Sequence, residues 1–129
     1  MIFLLVLVVL IGVLIAFNYH SGIPVEKLIP KYTTPESEFL LFGGMKVHYR
    51  VTGKGPTLVL LHGVASGLHT WNSWQNRLSN DFTVISLDLP GFSLTGPNPN
   101  DDYSVIMYMK LLDALFDKLQ IDSCFMAGN

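Results

Sequence analysis

Val59-Leu-Leu-His-Gly-Val-Ala-Ser-Gly-Leu-His-Thr-Trp71 is the stretch on which the reading of this chain turns. Its opening residues close a short apolar run, Thr57 to Leu61, that starts after Gly55-Pro56 and stops at His62-Gly63. A run of that length between turn residues predicts a strand buried on both faces, at the centre of a sheet. The loop beyond it is rich in glycine and leads into a helical pattern at Trp71. A strand ending in such a bend leaves backbone N–H groups free. Fixed donors of that kind stabilise a developing negative charge without reorganising during reaction.

Upstream, Phe39 to Phe42 and Met45 to Val51 flank Gly43-Gly44, a pair that supplies the positive φ values of a two-residue hairpin turn. Alternation along the second strand puts Val47, Tyr49 and Val51 on one face and Lys46, His48 and Arg50 on a polar one, so His48 reads as an ordinary strand residue. Downstream, Thr70 is expected to cap a helix whose Trp71, Trp74 and Leu78 form one apolar stripe. Phe82 to Leu87 reads as another strand, turned off by Asp88-Leu-Pro-Gly91. Ser104 is expected to cap a helix reaching about Gln120, with Val105, Tyr108, Met109, Leu112, Leu115, Phe116 and Leu119 at its apolar positions. Ser123 to Ala127 is the last strand. A hairpin followed by strand, helix, strand, helix, strand predicts an α/β fold with a parallel sheet and crossovers.

From Phe39 onward the chain resembles the N-terminal half of an α/β-hydrolase of the lipase, esterase, haloperoxidase and epoxide-hydrolase type. Val47-His-Tyr-Arg50, Gly55-Pro56, Leu60-Leu-His-Gly63, Trp71, Asp88-Leu-Pro-Gly-Phe92 and Ala127-Gly-Asn129 carry the resemblance through their order and spacing. The resemblance implies that His62 and Gly63 shape the loop, that the backbone N–H of Val64 is one oxyanion donor, and that Asp88, Pro90 and Gly91 form the D-x-P-G turn. Ser93 and Thr95 stand where the family commonly has Gly and Ser. It further implies a nucleophile at the sharp turn after the fifth strand, directly after Gly128-Asn129. Gly-Asn favours a serine there, whereas relatives acting on epoxides or haloalkanes carry an aspartate, usually preceded by His. No catalytic residue is then expected within the chain, and neither a metal nor an organic cofactor is implied. Ser66 and Ser93 each miss the elbow pattern by one position and read as loop residues.

Composition narrows the remaining classes. Of 129 residues half are hydrophobic, the formal charge is −2, and Cys124 is the one cysteine. That allows one domain and gives no basic footprint for nucleic acid. A lone cysteine in an apolar run reads as core. Gly53-Lys54 is no phosphate-binding loop, because such a loop follows its strand and needs a first glycine where His48 stands.

Met1 to Phe17 is unbroken apolar sequence, spanning about 25 Å as a helix against a hydrocarbon core of roughly 30 Å. With Asn18, Tyr19 and His20 at the interface, residues 1–20 are expected to form a transmembrane anchor. A cleaved signal peptide fits less well, because no Lys or Arg precedes the run and no small-residue cleavage site follows it. Lys27 and Lys31 lean the C-terminal side towards the cytoplasm. Residues 21–38, with Pro24, Pro30 and Pro35, read as a linker, and residues 39–129 as the front of a hydrolase domain cut at its nucleophile turn. The expected function is a membrane-anchored hydrolase of esters, amides or related bonds in a small, lipophilic substrate, with this chain as an inactive fragment. The alternative is a truncated, non-catalytic interaction module tethered to the membrane. A sheet cut at its fifth strand would leave an open edge, so residues 21–129 alone are expected to fold poorly.

Overall fold

The computed structural model describes residues 2–18 and 22–129. Two helices, α1 (Ile2–Asn18) and α2 (Val25–Tyr32), precede strands β1 (Ser37–Phe42), β2 (Met45–Thr52) and β3 (Thr57–Leu61). A 3-10 turn at Leu68–Trp71 runs into α3 (Asn72–Leu78), followed by β4 (Thr83–Leu87), α4 (Val105–Leu119) and β5 (Phe125–Gly128).

The five strands form one sheet in the order β1-β2-β4-β3-β5. β1 and β2 pair antiparallel, as do β2 and β4, whereas β3 pairs parallel with both β4 and β5. The hairpin turns at Gly43 and Gly44, whose φ values of 55° and 82° lie in the left-handed region that side chains disfavour. The expected α/β sheet is therefore present, with one adjustment. β4, not β3, is the middle strand, because β2 joins the sheet on the far side of β4. Val47, Tyr49, Val59, Ile85 and Leu87 pack against Leu111 and Leu115 of α4 in the main core, and half-buried Cys124 lies against it. β1 and β5 are the outer strands, and on β5 Phe125 and Met126 are exposed.

Both sheet-covering helices differ in detail from the periodic reading. On α4 the Ser104 hydroxyl caps the first turn by accepting from the Met107 N–H at 3.2 Å, and Gln120 ends the helix in a left-handed conformation. The buried line is Met107, Leu111 and Leu115, while Val105 and Met109 are exposed. With apolar residues on both sides of this helix, periodicity alone does not select the packed face. In α3 the apolar stripe is not realised. Trp74 is 59% exposed and Gln75 is buried instead, its side chain bonded to the hydroxyls of Thr52 and Ser86 at 3.1 and 2.7 Å. A buried amide is tolerated when its donors and acceptors are satisfied. Thr70 does not cap α3; its hydroxyl turns back to donate to the Gly67 carbonyl.

The N-terminal segment also departs from expectation. Among the described residues no helix is long and apolar enough to cross a membrane, so the transmembrane helix expected over residues 1–20 is not found. The described part of α1 has 17 residues, or about 25 Å. Tyr19 and His20, expected at the interface, lie outside the described residues. The expected linker contains α2, begun by Pro24, whose φ of −54° suits a helix start where no N–H is needed. Val25, Leu28 and Ile29 are half-buried, and Val25 packs so closely on Gly96 that a Cβ there would stand 3.0 Å from it.

Candidate active site

The residues singled out by sequence lie at the C-terminal ends of parallel strands β3, β4 and β5. Ligands of open α/β sheets collect at such ends. His62 leaves β3 with its ring buried, accepting at Nε2 from the Leu89 N–H at 2.9 Å. That bond fixes the tautomer: Nδ1 carries the hydrogen and donates to the Gly63 carbonyl at 2.8 Å. His62 thereby ties the bend after β3 to the turn after β4. The Phe92 ring packs edge-on against it, with centroids 5.5 Å apart.

Gly63 faces the end of β5. A Cβ on it would stand 2.7 Å from the Asn129 carbonyl oxygen, so a side chain there would displace the backbone that leaves β5. Asn129 itself is held by its N–H, 3.4 Å from the Leu61 carbonyl. Two bends 66 residues apart in sequence are thus adjacent in space. Val64, next along, is 88% exposed, an apolar side chain at the mouth of the site.

Asp88 does more than make a turn. Its carboxylate is buried and accepts from the Leu68 N–H at 2.7 Å, from the Leu94 N–H at 3.3 Å, and from His48 Nδ1 at 2.7 Å. Burial alone would push its pKa up; the bonds from His48, Leu68 and Leu94 outweigh that and hold it below the ordinary value. Thr95 completes the knot, its hydroxyl donating to the Asp88 carbonyl at 2.6 Å and accepting from the His48 N–H at 3.0 Å. Gly91 turns with φ 91°, and the Pro90 carbonyl accepts from the Tyr108 hydroxyl at 3.2 Å.

His48 is the residue that sequence reasoning missed. It was expected on a polar, ordinary strand face, yet it is 1% exposed and bonded through both ring nitrogens, to Asp88 and to Ser37 Oγ. Nothing local marks it, since its partner lies 40 residues away. Ser66 and Ser93 sit in loops, Ser93 with a left-handed φ of 47°. Among the described residues no group of three or more His, Cys, Asp or Glu side chains is arranged to hold a metal ion.

Sheet order, the two strand-end bends and the Asp88 turn define an α/β-hydrolase framework. Residues 56–129 match the family described as the alpha/beta hydrolase fold, and the chain belongs to it. It is 32% identical over 106 residues to an uncharacterised protein of Mycobacterium tuberculosis, covering 82% of this chain and 30% of that protein. A 2-hydroxy-6-oxo-2,4-heptadienoate hydrolase of Pseudomonas putida is 30% identical over 93 residues, covering 70% of this chain and 34% of that enzyme. The crystal structure of the Cif epoxide hydrolase from Acinetobacter nosocomialis superposes with a TM-score of 0.69 at 27% identity, covering 87% of this chain and 40% of that one. The chain thus spans about a third of the length of the curated relatives it matches.

Proposed function

We propose that this chain forms the front half of a hydrolase that cleaves an ester, amide or related bond of a small molecule through a serine acyl-enzyme, with the nucleophile directly after Asn129. The observation that carries the reading is the approach of Asn129 to Gly63, where only a glycine fits. A residue leaving β5 at that point emerges beside the bend after β3. The Val64 N–H is then one oxyanion donor and the residue after the nucleophile supplies the other. Such donors act when they stand about 3 Å from the developing oxyanion, whatever their side chain, which is why a valine serves. The acid and base of the triad belong to later sequence.

Exposed Val64 and the ring of Phe92 favour a substrate with an apolar part. α1 supports the same preference. Its side chains, among them Phe3, Leu14, Ile15 and Phe17, are apolar and exposed, and a helix apolar all round needs an apolar surrounding. In this reading α1 inserts into a lipid layer and holds the domain at its surface. The lysines of α2 favour a cytoplasmic position for the domain. Carbonate-resistant sedimentation with membranes, lost when residues 2–18 are removed, is the expected behaviour; unchanged solubility would sink the lipid assignment.

The central test is to read the coding sequence past Asn129 and to map fluorophosphonate labelling on the resulting protein. Ser-x-Gly after Asn129, labelled at that serine, is the expected result. A second reading, favoured by the similarity to an epoxide hydrolase, is an aspartate nucleophile that opens an epoxide. An aspartate after Asn129, with no label there, would select it.

A further inference from the structure

Three side chains from separate elements, Asp88 of the turn after β4 among them, form a continuous hydrogen-bonded line. Ser37 opens β1, His48 lies on β2, and Asp88 follows β4. His48 Nδ1 is 2.7 Å from Asp88 Oδ2, and His48 Nε2 is 2.8 Å from Ser37 Oγ. The direction of the line follows from the other bonds. Asp88 accepts backbone N–H groups at both oxygens, so it is a carboxylate and Nδ1 must donate to it. Nε2 is left with its lone pair towards Ser37. Ser37 Oγ already accepts the Thr34 N–H at 3.0 Å, and its own hydrogen is free to point at Nε2.

A serine hydroxyl donating to an imidazole that a buried carboxylate orients is the nucleophile, base and orienting group of a catalytic triad, which is recognised by geometry and roles and not by chain order. Access is graded in the useful direction. His48 and Asp88 are buried, whereas Ser37 is half-buried on the outermost strand of the hairpin side. Phe39, two residues further along the same face of β1, packs on the His48 ring at 5.1 Å. It also lines a cavity of about 310 Å³ with Val25, Ile29, Leu94 and Pro97. Its lining mixes these apolar side chains with Glu26 and Lys46, and Phe39 links it to the strand that carries the hydroxyl.

We propose that Ser37 is a second nucleophilic site, with His48 as its general base and Asp88 as the positioning residue, open to acyl or phosphonyl electrophiles that carry an apolar group. With an alkyl fluorophosphonate the step balances simply. The Ser37 Oγ–P bond forms as the P–F bond breaks, the hydroxyl proton passes to His48 Nε2, and fluoride leaves.

The test treats the protein expressed from the coding sequence read through Asn129 with an alkyl fluorophosphonate and maps adducts by peptide mass spectrometry in wild type, S37A, H48Q and D88N, with circular dichroism recorded for each. The expected result is a phosphonyl adduct on the peptide holding Ser37, absent in S37A, with a labelling rate at least about 10²-fold lower in H48Q, the usual weight of a general base. D88N, which presents a neutral amide to Nδ1, is expected to slow labelling while S37A retains the wild-type circular dichroism. Because S37A changes a half-exposed position, it keeps the test valid even where H48Q unfolds. A folded wild-type chain with no adduct on Ser37 overturns the proposal, as does a rate that folded H48Q leaves unchanged. Labelling confined to a residue after Asn129 also overturns it, while leaving the hydrolase reading intact.

Discussion

His48 and His62 are both buried, 1% and 3% exposed, and each uses two ring nitrogens to hold parts of the chain together. Their partners differ in kind. His62 is anchored by backbone alone, receiving one N–H and giving one hydrogen to the carbonyl of its own neighbour. His48 is anchored by a carboxylate that also gathers two backbone N–H groups from different loops. The first arrangement is a local clip between two turns. The second is a hub, because one buried charge collects donors from β2, from the start of the 3-10 turn and from the loop after β4. Bonds to a charged acceptor are stronger than neutral ones, and losing that acceptor strands every donor at once.

That difference sets the order of expected effects, read by urea unfolding. D88A removes the hub and leaves His48 Nδ1 and two backbone N–H groups buried without partners, so a loss of about 3–5 kcal/mol is expected. A loss no greater than that of a surface substitution would erase the distinction between hub and clip. H62A strands the Leu89 N–H and the Gly63 carbonyl but no charged group, for an expected loss of about 1–3 kcal/mol. Equal losses in the two variants would mean that the charge adds nothing.

Acid sharpens the contrast further. The pKa of Asp88 is depressed in the folded protein, so its contribution to stability is fully present above the unfolded value of about 3.9 and disappears as pH falls through the folded one. Wild type and H62A should both lose stability through this group as pH falls from the unfolded value of about 3.9 through the lower folded one. D88N should lack that component. An identical acid dependence in D88N and wild type would show that other carboxylates account for it. The smallest effect is expected at Trp74, which is large but exposed. W74A should change stability by less than about 0.5 kcal/mol, and a larger loss would show that Trp74 is packed more closely than its exposure indicates.

How far the sequence could be read follows from how local each cause was. The Gly43-Gly44 turn and the Ser104 cap were legible because each acts on backbone groups within three residues of itself. The strand at Thr57–Leu61 was legible because turn residues bound it on both sides. His62 and Asp88 could be singled out through the motifs that contain them, but their bonds could not. Those bonds run to Leu89 in one case, and to His48, Leu68 and Leu94 in the other. Helix faces failed for a related reason. α4 carries apolar residues on more than one side, and α3 buries a glutamine, so the choice of packed face depended on what the sheet presented. α2 escaped notice because three prolines in the stretch point to a linker, although Pro24 is well placed to start a helix.

By itself the sequence determined the alternation of elements, the hairpin, the two strand-end bends and the family, since these rest on turn chemistry and apolar periodicity acting over a few residues. Only the tertiary structure decided that β4 is the central strand, that Gly63 meets Asn129, and that His48 joins Ser37 to Asp88. Those contacts link residues far apart along the chain, and a buried polar group finds its partner only when the sheet has set which strands are neighbours.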